Sequence, residues 1–506
     1  MTEGDGTHPG EAPDEAPDEA PADASAEAPA DPEPPRRRRG RKVLAWLAVL
    51  VVLAVVAGAA VWRFDLAEEW GLVDPAPDPV RDPAAVPAPP GLTLPDAGTA
   101  APVAGLLGDA KPVAKDVRRA LGRLTQAKRL GTSVAVVVGD AHGEVTYREG
   151  PRVVTPASTM KLLTSLAALE VVGGSHRFTT EVVRRGGRVT IVGGGDPLLA
   201  RRADPSAYPQ QADLTGLARD TARALRGAGV RAVRVSYDDS LFTGPVASTA
   251  WQADYLPDDV VSPITALWAD EGRERAGFAG RSGNPSAAAA TYFADQLRAR
   301  GIKIRGDVAF ATAQGRTVAS ARSAELDEIV QHVLEVSDNE GAEVLARQVA
   351  VAEGQPASFT GAARAVEDVL GRLGVPLDDA EIHDGSGLSR QDRLRPTTLL
   401  DVLATAARRP ELGGVLSGLP VAGFSGSLGY RFAASGTDAG LGFVRAKTGT
   451  LVAGGVHGYA GVVTTRDDTV MTFVAIADKV KPINTDFVRT RLDQIASALA
   501  GCPCGR

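Results

Sequence analysis

Cysteine and histidine are scarce in this 506-residue chain, and their scarcity excludes several kinds of chemistry. The two cysteines, Cys502 and Cys504, lie within the last five residues and are separated by one residue. This placement indicates no thiol active site and no disulfide framework in the folded part, so we expect a frayed tail over residues 501–506. The six histidines form no pair with metal-ligand spacing, and the sequence therefore predicts no metal site and no cofactor.

Lysine and asparagine are also rare. Only nine of the 55 basic residues are lysines, and the three asparagines are Asn284, Asn339 and Asn484. Arginine does not lose its proton in a protein, whereas a desolvated lysine can. A lysine in an apolar stretch of this arginine-rich chain is therefore a candidate general base.

The negative charge of the chain is concentrated at its N-terminus. Residues 1–35 contain eleven aspartates and glutamates and no lysine or arginine, against a net charge of -7 for the whole chain. A proline-rich acidic segment of this kind cannot bury enough apolar surface to fold, so we expect it to be disordered. The remainder is slightly basic without a dense cationic patch beyond residues 36–42, which excludes nucleic acid as a partner.

One long uncharged segment follows that cationic block. Residues 43–62 contain no charge, and as a helix they would extend roughly 30 Å, the thickness of a hydrocarbon core. Residues 36–63 therefore predict a single-pass membrane anchor with the N-terminus in the cytoplasm and the rest of the chain outside the cell. A cleaved signal peptide ending near residues 57–59 is the alternative. Residues 64–111 are rich in proline and alanine and predict an extended linker.

The remaining residues predict an α+β fold. A helix is expected near the start, over residues 113–130, followed by a hairpin that turns at residues 140–143. A second hairpin turns at residues 186–187, and helical patterns then alternate with late apolar strands before a closing helix. This order indicates a sheet assembled from both ends of the chain.

Three short motifs carry the candidate chemistry. They are Ser-Thr-Met-Lys at 158–161, Ser-Asp-Asn at 337–339 and Lys-Thr-Gly at 447–449. In this order they resemble the motif set of penicillin-binding proteins and class A β-lactamases. Each motif alone has an ordinary explanation: a surface Ser and Lys near a helix start, a helix N-cap, or a solvated strand lysine. Their joint occurrence in one order favours a serine acyl-transfer enzyme.

The motif set implies a role for each residue. Ser158 is the nucleophile, and Lys161 lies on the same helical face and can act as its base if its pKa falls from about 10.4 toward 7. Asn339 can bond the substrate backbone and the lysine, and Ser337 can relay a proton to the leaving amine.

The third motif implies the substrate-binding side of the cleft. Lys447 and Thr448 would bind a terminal carboxylate, and Gly449 would let a substrate backbone approach the strand. The backbone N–H groups of Ser158 and Thr450 would form the oxyanion hole.

Further segments resemble one family in particular. Residues 193–199 (GGGDPLL), 262–273 (SPITALWADEGR), 384–390 (DGSGLSR) and 420–432 (PVAGFSGSLGYRF) are similar to segments of the D-alanyl-D-alanine carboxypeptidase/endopeptidase family, also called class C penicillin-binding proteins. The resemblance extends over about residues 130–498. It leaves open whether Asp384 and Ser386 line the cleft or shape a turn, and an acidic residue is usual near Ser425, so no role is assigned to that position.

The resemblance implies a fold and an activity. The fold would be a serine β-lactamase/penicillin-binding transpeptidase-like domain, an antiparallel sheet plus a helical cluster, formed by residues 112–176 and 286–500. Residues 177–285 would form an inserted β-rich domain. The activity would be that of a serine carboxypeptidase on D-Ala-D-Ala bonds of peptidoglycan stem peptides, with β-lactams as covalent inhibitors. The resemblance leaves open whether the protein is also an endopeptidase.

Two other functions are alternatives to this one. A class A β-lactamase requires a Glu-x-x-x-Asn arrangement, but Gly280 and Val480 precede Asn284 and Asn484 by four residues. A membrane-tethered β-lactam sensor or a non-catalytic cell-wall scaffold is the other alternative. A sensor would need a substantial cytoplasmic effector, and residues 1–35 are too short for one.

Overall fold

The computed structural model describes residues 110–275 and 280–505. The acidic segment over residues 1–35, the predicted membrane anchor over residues 36–63 and nearly all of the predicted linker lie outside these residues. No helix within the described ranges is long and apolar enough to cross a membrane.

The described residues form strands and helices that pack into two sheets and a helical cluster. In chain order the strands are β1 (Ser133–Asp140), β2 (Val145–Glu149), β3 (Thr179–Arg185), β4 (Arg188–Val192), β5 (Ala232–Asp238), β6 (Lys303–Ile304), β7 (Ala309–Phe310), β8 (Arg316–Arg322), β9 (Val444–Leu451), β10 (Val456–Thr464) and β11 (Val470–Asp478). The helices are α1 (Ala114–Leu121), α2 (Lys161–Val172), α3 (Leu214–Gly227), α4 (Pro285–Ala299), α5 (Leu326–Glu335), α6 (Asn339–Ala352), α7 (Phe359–Arg372), α8 (Pro396–Arg408), α9 (Gly414–Ser417) and α10 (Thr485–Ala500).

The first sheet is assembled from both ends of the chain, as the sequence predicts. Its strand order is β2-β1-β11-β10-β9, and every neighbouring pair is antiparallel. Strand β1 pairs with β11 from Ser133 opposite Asp478 to Asp140 opposite Met471. Helices α1 and α10 cover one face of this sheet through a shared apolar core. The predicted antiparallel sheet with a helical cluster is confirmed.

Helix α2 lies at the centre of the helical cluster. Its residues from Lys161 to Leu169 are all buried, and α5, α6, α7 and α8 pack around it. A helix that is apolar on nearly every face has to be enclosed by other elements to be stable. Because the cluster is built around α2, the residues that begin this helix are held in the middle of the molecule.

The second sheet is larger than the sequence predicts. Its order is β6-β5-β4-β3-β8, β7 also pairs with β5, and β4 and β5 are parallel. Helices α3 and α4 cover one face with an apolar core that includes Phe293. The predicted end of the inserted domain at residue 285 is therefore too early, since α4 and the strands up to Arg322 belong to this sheet. The sequence did not predict β5 and β8, which carry exposed arginines such as Arg234 and Arg316.

The C-terminal tail is part of the fold, and the prediction of a frayed end is wrong for residues 501–505. Cys502 and Cys504 form a disulfide, and both are buried in the core beneath α1 and α10. The N–H of Val113 donates to the carbonyl of Cys504 at 2.8 Å. The predicted helix over residues 113–130 is shorter, because Gly122 takes a positive φ of 51° directly after α1.

Candidate active site

The first motif occupies a tight turn at the start of α2. Ser158 lies in a 3₁₀ turn, Ala157–Met160, and Thr159 closes this turn by donating from Oγ1 to the carbonyl of Pro156 at 2.7 Å. Lys161 is the first residue of α2 and is completely buried, whereas Ser158 is half-buried. The serine hydroxyl is therefore accessible to a substrate while the lysine amine is desolvated.

The amine of Lys161 connects the first two motifs. Its Nζ donates to Ser158 Oγ at 3.1 Å, to Asn339 Oδ1 at 2.8 Å and to the carbonyl of Ser386 at 2.8 Å. Two fixed acceptors thus aim the amine at the serine hydroxyl. After losing a proton, the same nitrogen can accept the hydroxyl proton of Ser158.

Burial lowers the pKa of Lys161 to about 8. The carboxylates of Asp338, Asp384, Glu343 and Glu340 act in the opposite direction and limit the decrease. A pKa near 8 leaves a useful fraction of the amine neutral at physiological pH, as a general base requires.

The rate of acylation is therefore expected to depend on pH. The base is active when deprotonated, so the second-order rate of acylation by benzylpenicillin should fall about tenfold per pH unit below an apparent pKa near 8 and level off above it. Stopped-flow measurements between pH 6 and 9 would show this, with spontaneous β-lactam hydrolysis subtracted at each pH. A rate that is flat over this range would contradict the role of Lys161.

The second motif joins α5 to α6. Ser337 has a positive φ of 62°, and Asp338 caps α6 by accepting from the N–H of Gly341 at 2.9 Å. Asn339 is the first residue of α6 and accepts from Lys161. The helix-cap explanation of this motif is thus correct for Asp338, while the residues on either side of it face the site.

The third motif lies on the opposite side of the site from the first. Lys447 lies on β9 and is completely buried, and its Nζ donates to Ser337 Oγ at 2.8 Å and to the carbonyl of Thr448 at 2.9 Å. Burial, and secondarily the charge of Lys161, lower the pKa of Lys447 well below its usual value. An anionic group of a substrate would favour its protonated form again.

Strand β9 passes very close to the turn that carries the nucleophile. A Cβ added to Gly449 would lie 2.9 Å from the carbonyl oxygen of Pro156 and 3.4 Å from the Cβ of Ala157. Glycine at this position therefore allows strand β9 to lie against the turn that carries Ser158. Strand β9 is also the edge of its sheet, a position where an extended peptide can add.

Three motifs far apart in sequence are thus brought together. The structure joins Ser158, Lys161 and Asn339 around one amine, and Ser337 and Lys447 around the other. Thr448, Gly449 and Thr450 follow Lys447 along the edge strand.

Sequence reasoning did not identify several residues that support the site. Ser427 Oγ lies 2.8 Å from Thr448 Oγ1, and the carbonyl of Ser386 contacts Lys161. Glu343 accepts from the N–H of Ser386 at 2.9 Å and so fixes the peptide that presents this carbonyl. Glu343 lies four residues after Asn339 and on the same face of α6, and this spacing could have indicated from the sequence that Glu343 lies near the site.

Asp384 shapes the turn that contains Ser386. It accepts from the N–H groups of Gly387 and Ser389 and from Trp251 Nε1, each at 2.7 Å. Burial together with the charge of Asp384 raises the pKa of Glu343 to about 8. Asp384 therefore orders a turn. Ser386 contacts Lys161 through its backbone carbonyl.

The chain is similar to a known protein family and to curated relatives over most of its length. The family model described as the D-Ala-D-Ala carboxypeptidase 3 (S13) family matches residues 117–278 and 274–499. Carboxypeptidase DacB of Mycolicibacterium smegmatis is 35% identical over 492 residues, covering 93% of this chain and 99% of the relative. Carboxypeptidase Rv3627c of Mycobacterium tuberculosis is 33% identical over 485 residues, with the same two coverages.

A solved structure shows the same fold. Penicillin binding protein 4 from Haemophilus influenzae superimposes with a TM-score of 0.61 at 21% identity, covering 75% of this chain and 99% of the other. The family resemblance seen in the sequence is thereby confirmed. The chain belongs to the D-Ala-D-Ala carboxypeptidase 3 (S13) family.

Proposed function

We propose that the protein is a serine D-Ala-D-Ala carboxypeptidase that acts on peptidoglycan stem peptides through an acyl-enzyme on Ser158. The observation that carries this proposal is the buried amine of Lys161, 3.1 Å from Ser158 Oγ. Family membership supports the substrate class.

Acylation begins with transfer of the Ser158 hydroxyl proton to the neutral amine of Lys161. The Oγ atom forms a bond to the carbonyl carbon of the penultimate D-Ala, and the carbonyl oxygen becomes an oxyanion. The N–H groups of Ser158 and Thr450 bind that oxyanion. Asn339 keeps the lysine directed at the serine throughout.

The tetrahedral intermediate then breaks its bond to the terminal D-Ala. The leaving nitrogen needs a proton, and Ser337 can relay to it the proton that Lys161 took up, which restores the neutral amine of Lys161. Lys447 Nζ holds the Ser337 hydroxyl in place at 2.8 Å. Water next attacks the ester with Lys161 again as base, which releases the shortened peptide. A β-lactam acylates the same serine, but its leaving group stays tethered and the ester persists.

The terminal carboxylate of the peptide is proposed to bind Lys447 and Thr448. Lys447→Ala should lower kcat/KM for D-Ala release from a pentapeptide roughly 30-fold to 5000-fold, because a desolvated charge pair is lost. This factor corresponds to about 2–5 kcal/mol of transition-state stabilisation. For D-alaninamide release from the same peptide amidated at its C-terminus, the variant should lose less in kcat/KM than it loses with the free peptide. The amide carries no charge, so only the contact of Lys447 with Ser337 is lost.

The matched control is Lys115→Ala, which removes an exposed lysine on α1. It should leave both rates unchanged. Equal losses for the free and the amidated peptide would contradict carboxylate binding by Lys447. A wild-type protein that releases neither D-Ala from the free peptide nor D-alaninamide from the amidated one would contradict the proposed function itself.

We also propose that residues 43–62 anchor the protein in the cell membrane, with residues 1–35 in the cytoplasm and the catalytic part outside. The support is in the sequence: twenty uncharged residues follow a block of arginines and lysine. Such an anchor would place the enzyme on the side of the membrane where peptidoglycan lies.

A further inference from the structure

Three potential metal-ligating side chains converge behind the second motif, one of them from a segment about sixty residues before the other two. Glu271 lies in a short turn, Asp270–Gly272, His332 is in the last turn of α5, and Asp338 caps α6. One donor atom of each side chain lies within 4.8 Å of the donor atoms of the other two. The sequence predicted no metal site because the fold, and not the spacing, brings these residues together.

The donor set has the chemistry of a transition-metal site. One imidazole nitrogen and two carboxylate oxygens suit borderline divalent ions, above all Zn²⁺ and Mn²⁺. Mg²⁺ prefers oxygen ligands alone and retains several waters, so the imidazole disfavours it. Glu271 and His332 are half-buried, and Asp338 is buried.

Asp338 supplies an independent reason to expect a ligand. The residue is only 7% exposed, and its Oδ1 accepts from the N–H of Gly341. Its Oδ2 is buried without a hydrogen-bond partner. A buried carboxylate oxygen without a partner is costly, and coordination of a cation would satisfy it.

Two carboxylates at the cluster are paired with arginines. Glu340 is paired with Arg281, whose Nε donates to it at 3.0 Å. Arg273 donates to Glu271 Oε2 at 3.0 Å. Asp338 itself forms no salt bridge among the described residues.

We propose that Glu271, His332 and Asp338 bind one divalent transition-metal ion, with Zn²⁺ as the best fit to the donor set. The ion would link the turn at Glu271 to the connection between α5 and α6. Because Asp338 lies between Ser337 and Asn339, binding would hold these two residues in place without contacting the substrate. The site would thus be structural and would position the second motif.

The test is titration of the metal-free full-length protein with ZnCl₂, followed by calorimetry and by thermal melting. We expect one tight equivalent per chain and a higher Tm with Zn²⁺, a weaker response to MnCl₂ and none to MgCl₂. His332→Gln and Glu271→Gln should each lose a direct ligand. Their Kd should rise by at least the roughly 10–100-fold that loss of a supporting residue around a metal typically costs.

The matched control is His176→Gln, which removes an exposed histidine that contacts Phe178. It should bind Zn²⁺ as the wild type does. Equal affinity in all variants, or a wild-type protein whose Tm and heat signal do not respond to Zn²⁺, would overturn the proposal. Because binding and melting are read without any peptide substrate, failure here is distinguishable from failure of the proposed peptidase activity.

Discussion

Replacing Ser158 with alanine is expected to abolish D-Ala release while leaving the fold intact. The loss in kcat should be on the order of 10⁶-fold, as is typical when a serine nucleophile is removed. The side chain is half-buried and its Oγ accepts a hydrogen bond from Lys161, so removing it leaves no large cavity. The measurement is D-Ala release from a pentapeptide, with thermal melting to confirm that the variant is folded.

The matched control is Ser320→Ala, at an exposed position of β8 in the second sheet. It should release D-Ala at the wild-type rate. A Ser158→Ala variant that keeps more than a trace of activity would show that another group attacks the peptide.

Replacing Lys161 with arginine is expected to be the next most damaging change. Arginine keeps a positive charge but cannot act as a base, because its guanidinium does not lose a proton in proteins. Loss of general base catalysis should lower the acylation rate by about 10²–10⁴-fold. The rate of covalent labelling by benzylpenicillin measures this step directly.

Lys303→Arg, on the exposed strand β6, makes the same substitution away from the site and should label normally. A melting curve for the Lys161→Arg variant is needed as well, because the native side chain is completely buried and arginine is larger. If a folded Lys161→Arg variant labelled at the wild-type rate, Lys161 would not be the base.

The sequence predicts the first sheet and the helical cluster well because their patterns are strong. Helices α6 and α8 occupy the residues over which the periodicity predicts them, 339–352 and 396–408. The second sheet was only partly predicted. In β5 and β8 exposed arginines interrupt the apolar pattern, and the pairing of these strands depends on partners distant in sequence.

The candidate site was likewise only partly predictable from the sequence. Side chains that perform chemistry occur in short motifs, so Ser158, Lys161 and Lys447 could be identified from the sequence. The carbonyl of Ser386 could not, because a backbone group carries no signature of its residue type. Its contact with Lys161 depends on how Asp384 and Glu343 fold the surrounding turn.

The most direct test is to locate the covalent bond. Full-length protein would be incubated with benzylpenicillin, digested, and analysed by mass spectrometry to identify the modified residue. The arrangement of one buried amine beside one accessible hydroxyl predicts a single adduct per chain, on the peptide that contains Ser158. An adduct on any other residue, or a protein that stays unmodified at saturating antibiotic, would contradict it.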